Sequence, residues 1–428
     1  MAMVKCLVCG AVFEAGVKVC PVCGVGPEHF VPLEETSATP QGTNRRFLVL
    51  GGGIAAVSAA QAIREQDPSC SIVMLAGESV PPYARPMLTK GLSGSLDESK
   101  LMLHPESWYA EQRIFLLTGE EVTAIDPSAR EVHCRSGLTM AYDRLIYALG
   151  AQCFVPPIPG SNLPHVTAIR SLADAHKVRQ EAEQAHTAAV IGGGVLGLEA
   201  AWAMQQLGLK VTVMEVAPQL MGRQLDTGTS ALLAQRLAAL GMDVKLGANI
   251  TQITPEAVLL ADGTEIPAEI VLVSAGVRAN VQLAQAAGLA CGRAVTVDDH
   301  MRTSDPDIFA CGDCAELNGV NMALWGEAQN QGRTAGTNAA GGDAVCPPES
   351  GALVLNALKT ALFSIGDCGK ENRTYKVVTR PGKKPDSYAR YWFCDGLLRG
   401  AILLDDLSPM ARITKLMRQN ATEEETLA

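Results

Sequence analysis

Cys6, Cys9, Cys20 and Cys23 form two Cys-x-x-Cys-Gly knuckles, CLVCG and CPVCG, separated by a ten-residue loop. Four thiolates so spaced can close a tetrahedron around one metal ion. The glycine after each knuckle lets the turn offer backbone N–H groups to sulfur. A segment of about 35 residues cannot bury enough apolar surface to fold alone, so a metal is expected to hold it together. Zinc and a single iron both suit an S4 tetrahedron, and the spacing leaves both open.

Two glycine clusters carry a different chemistry. Gly51, Gly53 and Ala56 fit the pattern G-x-G-x-x-A, and Gly192, Gly194 and Gly197 fit G-x-G-x-x-G. In such a turn the first glycine makes the bend and the second admits a pyrophosphate. The third small residue lets the helix pack on the strand, which aims helix N–H groups at the phosphates. One match is weak evidence; two in one chain predict two bound dinucleotides. Glu215 follows an apolar run, Val211 to Met214, where a carboxylate accepts both ribose hydroxyls and repels a 2′-phosphate, which favours NADH over NADPH. A solvated glutamate at a strand end is the competing reading. After the first cluster the nearest acid, Glu78, comes slightly late for the same role.

The elements that must position these residues are legible. Arg46 to Leu50 reads as a strand running into Gly51, followed by an Ala-rich helix and a strand from Ser71 to Leu75, which is a βαβ unit. The pattern recurs as a strand from Ala188 to Ile191, a helix from Leu196 to Leu207 and a strand from Val211 to Met214. Glu131 to Cys134 and Arg144 to Ala148 also read as strands. Beyond about Gly342, Tyr375 to Thr379, Tyr388 to Phe393 and Leu397 to Leu404 read as strands of a third folded domain, and the terminal ATEEETLA as a frayed tail. The stretch ETSATPQGTN reads as a linker. The fold class expected is α/β, with two Rossmann-like dinucleotide-binding domains, a small four-Cys domain before them and an α+β domain after them.

Composition narrows the function. A formal net charge of −10 disfavours polyanions, so no nucleic-acid partner is expected. The start MAMVKCLVCG lacks the features of a secretory signal, and no run of about 18 uncharged apolar residues follows, so a cytoplasmic protein without a membrane partner is expected. Thirteen cysteines, an odd count, point to thiols and metal thiolates. Cys311 and Cys314 have Cys-x-x-Cys spacing but flank Gly312 and Asp313 instead of opening a helix, which argues against a redox dithiol.

Beyond the glycine turns, PPYARPMLTK (Pro81 to Lys90), YALGA (Tyr147 to Ala151), TSDPDIFACGDCAE (Thr303 to Glu316) and LWGEAQNQGRTAGTNAAG (Leu324 to Gly341) resemble the pyridine-nucleotide and FAD-dependent reductases. The resemblance is in particular to the NADH:rubredoxin oxidoreductases, from Arg46 to about Gln419. CPVCGVGPEHFVPLEE resembles the end of a rubredoxin, but the long middle segment of free rubredoxins is absent and only Phe13 and Phe30 supply aromatic shielding. Iron is favoured because a redox centre beside a flavin has a use, whereas a zinc ribbon has only a structural one. The resemblance implies a rubredoxin-like metal domain at 1–35, a linker at 36–45, an FAD domain split between 46–155 and 284–341, an inserted NAD domain at 156–283 and a C-terminal domain at 342–428.

The same resemblance implies roles for single residues. Asp313, beside Gly312, holds a ribityl hydroxyl, Arg85 lies near the cofactor, and Lys90 and Glu199 form an ion pair where nicotinamide stacks. A helix from near Glu327 to about Ala340 points its positive end at the flavin, with Trp325, Glu327, Ala328, Gly150 and Gly276 on the cofactor side. Arg85, Pro86, Met87 and Leu88 stand where disulfide reductases carry cysteines, which argues against disulfide chemistry. The implied activity passes electrons from NADH through FAD to an Fe(Cys)4 centre and on to a redox protein such as a rubredoxin, a flavodiiron protein or a rubrerythrin-like peroxidase. The alternatives are an NADH oxidase or small-molecule reductase with a structural zinc ribbon, and a redox-sensing zinc-ribbon adaptor. Some relatives use the third domain as a dimer surface, so a homodimer stays open.

Overall fold

The computed structural model describes residues 3–6, 12–20, 26–27, 30–32, 43–348 and 351–428. The chain divides into two compact units. The first comprises Met1–Arg85, Asp97–Gln152 and Val277–Glu349; the second comprises Pro86–Leu96, Cys153–Gly276 and Ser350–Ala428.

The first unit is built on a five-stranded parallel sheet in the order Ile308–Ala310, Arg144–Tyr147, Arg46–Leu50, Ser71–Ala76, Ile114–Thr118. The inner strands are nearly continuous apolar runs, as expected where both faces of a parallel sheet are covered. Helix Ile54–Gln66 buries Ala55, Ala56, Ala59, Ala60 and Ile63. These small side chains admit helix Trp325–Ala339 at backbone distance. A Cβ on Gly332 would fall 2.3 Å from the Ala55 carbonyl oxygen, and one on Gly336 would fall 2.2 Å from that of Ala59. An antiparallel sheet of Val122–Asp126, Glu131–Cys134 and Thr139–Ala141 completes this half.

The second unit repeats the plan. Its parallel sheet runs Val166–Thr167, Ile270–Val273, Thr187–Ile191, Lys210–Glu215, Asp243–Leu246, with an antiparallel sheet of Ile250–Ile253, Ala257–Leu260 and Glu265–Pro267. Only the origin of the outermost strand differs: it comes last in the chain in the first unit and first in the second. The second unit also holds a five-stranded antiparallel sheet in the order Leu353–Ala357, Thr360–Gly366, Leu397–Leu404, Tyr388–Cys394, Lys376–Pro381. Two of those strands, Leu353–Ala357 and Thr360–Gly366, are absent from the sequence reading.

The terminal ATEEETLA is not frayed, which corrects the sequence expectation. Thr422 and Glu425 form a capping box that starts helix Glu423–Leu427. The segment is tied to the sheet by Leu398 N–H donating to Ala421 O at 2.9 Å and Glu423 N–H donating to Gly396 O at 2.9 Å. A run of glutamates at a helix N-terminus is favoured by the dipole, and composition alone hid this.

Near the N-terminus, Val12–Glu14, Met3–Cys6 and Phe30–Pro32 form a three-stranded antiparallel sheet, with Phe13 and Phe30 edge to face at 4.7 Å. No helix among the described residues is long and apolar enough to cross a membrane.

Candidate functional site

The two glycine turns have the same geometry. Strand Arg46–Leu50 passes into Gly51, whose φ is +125° and whose N–H donates to Leu75 O at 2.8 Å. Strand Thr187–Ile191 passes into Gly192, whose φ is +119° and whose N–H donates to Met214 O at 2.8 Å. A Cβ on either glycine would lie 2.2 Å from a carbonyl oxygen of the neighbouring strand's end, that of Ala148 or of Ser274. No other residue fits there without moving backbone. Gly150 and Gly276, each three residues past the strand that contributes that carbonyl, both have positive φ, +66° and +98°.

Gly53 and Gly194 are the N-cap residues of helices Ile54–Gln66 and Val195–Gln206. Neither cap has a side-chain hydrogen bond, and neither helix has an acid in its first turn. A Cβ on either glycine would meet nothing within 4 Å. Each helix start therefore offers unshared N–H groups and an uncancelled positive end to open space, which fits a pyrophosphate. The third small residue differs. Ala56 is fully buried, whereas a Cβ on Gly197 would sit 2.1 Å from Gly192 O.

The acids are held in different ways. Glu215 ends strand Lys210–Glu215, with Oε2 accepting from Gly193 N–H at 2.7 Å and Oε1 from Ala217 N–H at 2.8 Å. Each oxygen keeps a lone pair for a ribose hydroxyl. Glu78 lies two residues past strand Ser71–Ala76, and its Oε1 receives Arg85 Nη2 at 2.5 Å while Oε2 receives the Tyr83 hydroxyl at 2.6 Å. Arg85 also bonds the Tyr83 hydroxyl at 3.2 Å and lies over its ring at 5.0 Å. Arg85 thus clamps Glu78, a pairing the sequence reading did not include.

Strand Ile308–Ala310 leads to Gly312, whose φ is +80° and whose hypothetical Cβ would be 2.8 Å from that of Ala55. Its N–H donates to Gln331 Oε1 at 2.8 Å, which locks this turn onto helix Trp325–Ala339. Asp313 lines a small cavity with Gly312, Leu324, Glu327, Ala328 and Gln331. The helix begins at Trp325, two residues before the sequence expectation, so Glu327 stands buried in its first turn. A carboxylate there offsets part of the positive helix end.

The structure brings Lys90 and Glu199 together inside the second unit, with Nζ 3.6 Å from Oε1. Glu199 is 5% exposed, and its other oxygen accepts the Thr89 hydroxyl at 2.8 Å. Burial raises the Glu199 carboxyl above its ordinary value, against the opposing pull of Lys90 and Thr89. Thr89 is missing from the sequence reading. It lies 110 residues from Glu199, and nothing in local spacing marks it.

Cys311 and Cys314 are fully buried thiols; burial pushes Cys314 up to about 12 and Cys311 well above its ordinary value. Neither has the thiolate character of a reactive dithiol. Of the four N-terminal cysteines, Cys20 is buried. Cys9 and Cys23, and the side chain of Cys6, lie outside the described residues. Among the described residues no group of ligating side chains is placed to hold a metal ion.

Two open glycine turns of one geometry, each followed by a strand-end or near-strand acid, define a protein built for two dinucleotides. The chain belongs to the pyridine nucleotide-disulphide oxidoreductase family, whose pattern matches residues 45–332. Residues 352–421 match the rubredoxin NAD+ reductase C-terminal domain. The chain is 37% identical over 275 residues to a rubredoxin-NAD(+) reductase of Pseudomonas putida, covering 63% of this chain and 71% of that one. It is 32% identical over 390 residues to a nitrite reductase [NAD(P)H] of Bacillus subtilis, covering 89% of this chain. The chain spans about half, 48%, of that relative's length. Among solved structures, NADH:rubredoxin oxidoreductase from Clostridium acetobutylicum superposes with a TM-score of 0.74 at 27% identity, covering 90% of this chain and 99% of that one. FAD and NAD(H) are the cofactors expected of this family.

Proposed function

We propose that the chain is an NADH-dependent flavoprotein reductase that delivers electrons to a small redox protein. One observation carries the reading: two open dinucleotide turns occur in a chain whose segment after the first βαβ unit reads Arg85, Pro86, Met87, Leu88, with no thiol. The relatives named for rubredoxin reduction support the same acceptor class.

In this reading the first unit holds FAD, with Gly51, Gly53 and Ala56 at the pyrophosphate, Glu78 at the ribose under the Arg85 clamp, and Asp313 at the ribityl chain. The second unit holds NADH, with Gly192, Gly194 and Gly197 at the pyrophosphate and Glu215 at the ribose hydroxyls. Flavin held there would supply the conversion of a two-electron hydride donor into single-electron transfers. Glu215 excludes a 2′-phosphate by charge. Lys90 and Thr89 fix the buried Glu199, so that this carboxylate keeps one orientation at the nicotinamide end of the site.

Cys6, Cys9, Cys20 and Cys23 supply the donor set for one iron, and a rubredoxin, flavodiiron protein or rubrerythrin-like peroxidase is the acceptor class. An anaerobic visible spectrum before and after NADH, with metal analysis, tests the whole reading. Expected are a flavin spectrum bleached by NADH and about one iron per chain. Flavin that stays oxidised with NADH removes the reductase reading. Stoichiometric zinc in place of iron removes the iron centre alone.

A further inference from the structure

Charge is unevenly spread along this chain. Residues 370–384 carry Lys370, Arg373, Lys376, Arg380, Lys383 and Lys384 against Glu371 alone, a net +5 inside a chain of net −10. All six basic side chains are exposed. They centre on strand Lys376–Pro381, the outer edge of the C-terminal sheet, which pairs on one side with Tyr388–Cys394. Arg373 pairs with Glu371, Lys376 with Glu423, and Arg380 donates to Leu427 O. The ammonium groups of Lys370, Lys383 and Lys384 have no ion pair among the described residues.

A cleft of about 600 Å³ opens beside the turn after this strand, lined by Lys384, Pro385, Lys359, Asn356, Asp405 and Trp202. Its one acid is already neutralised, since Asp405 takes Arg236 Nη2 at 2.5 Å. Lys359, exposed and held at φ +51° in the turn of another hairpin, extends the positive rim. Trp202 is partly exposed and stands three residues after Glu199 on helix Val195–Gln206. An aromatic side chain in a cleft with a charged rim is the composition of a protein-docking face.

Lysines on an open edge strand also keep molecules from pairing edge to edge. That role needs charge on the strand alone. Here the charge begins before the strand, continues through the turn after it and reaches a separate hairpin.

We propose that this face docks an acidic protein, the electron acceptor of the reductase, with Trp202 as apolar anchor and Lys359, Lys383 and Lys384 in the basic rim. The inference rests on the reductase reading for the partner's role. A compact protein meets the patch alone, whereas an extended polyanion or an anionic bilayer also meets the surrounding negative charge.

The test uses the full-length flavin-loaded protein and an oxidised rubredoxin of strong net negative charge, with affinity measured by calorimetry at low and high ionic strength. Lys359→Glu, Lys383→Glu and Lys384→Glu are combined in one variant, and the matching Lys→Gln changes in a second, milder one. Expected is an affinity loss of about tenfold or more at low ionic strength, smaller for the Gln variant and closing at high salt. NADH-driven reduction of a neutral quinone stays unchanged, because none of the three residues belongs to the dinucleotide sites. Unchanged affinity in folded variants, or no binding by the parent protein, overturns the docking face and leaves the lysines as edge protection. A shift from dimer to monomer in the variants assigns the face to a second copy, and preferential binding to phosphatidylglycerol vesicles assigns it to a membrane; either overturns the proposal. Absence of quinone reduction by the parent protein sinks the reductase reading, while the calorimetry still reads the docking face.

Discussion

The two glycine turns differ where their geometry would have allowed them to be identical. In both, a glycine at positive φ sits under a carbonyl oxygen and an uncapped helix starts in open space. Yet in the second unit the acid is held by backbone N–H groups of the glycine loop and the following turn, while in the first it is held by the side chains of Arg85 and Tyr83. The first helix is buttressed by Gly332 and Gly336 of a second helix, whereas the second helix carries a buried carboxylate, Glu199. The shared part is what a pyrophosphate needs, and every dinucleotide has one. The divergent part is what differs between the two units: side chains orient the acid in the first, and the glycine loop's own backbone orients it in the second.

The sharpest way to break this comparison is to place a Cβ in one turn at a time. Gly192→Ala is expected to lower NADH-driven flavin reduction by about a hundredfold while flavin content stays normal. Gly51→Ala is expected to yield protein without bound flavin, seen as loss of visible absorbance. Loss of bound flavin in the Gly192→Ala protein as well would show that the two turns are not separable sites.

A smaller effect is expected at the acid of the second turn. With Glu215 at the ribose as proposed, Glu215→Ala removes the acceptor and the charge that repels a 2′-phosphate, so KM for NADH is expected to rise about tenfold and the NADH-to-NADPH preference to narrow. An unchanged preference would assign Glu215 to holding the loop alone.

The smallest effect concerns how each sheet is clasped. Asp143 accepts Arg46 N–H at 2.8 Å and pairs with its guanidinium, and Glu269 accepts the N–H groups of His186 and Thr187 at the start of the equivalent strand. Arg46 holds the Asp143 carboxyl down to about 2, and the backbone N–H groups hold Glu269 below its ordinary value. A depressed carboxylate contributes stability that is full above its unfolded pKa of about 4 and lost as pH falls through the folded one. Asp143→Asn should therefore cost less than about 1 kcal/mol near neutrality. The difference from the parent protein, read by thermal unfolding, should close between about pH 4 and pH 2.

Much of the fold was legible because local rules govern it. Glycine turns between an apolar strand and a helix are fixed by backbone sterics, so Arg46–Leu50 and the turn at Gly51 follow from neighbouring residues alone. Strands Leu353–Ala357 and Thr360–Gly366 escaped notice because their alternation is weak and their order is set by pairing with Leu397–Leu404. The terminal helix escaped because a cluster of glutamates reads as solvated until a capping threonine and a sheet edge are in place.

By itself the sequence determined the two glycine turns, the acid Glu215 at the strand end beside the second, the absence of cysteine at Arg85 to Leu88 and the four-cysteine spacing, because each is a matter of residue type within a few positions. Only the tertiary structure decided that Arg85 clamps Glu78, that Thr89 and Lys90 share one buried carboxylate, 110 residues from Thr89, and that Lys384, Lys359 and Trp202 border one cleft. Those contacts depend on where the chain returns after long excursions, and no local pattern encodes the return.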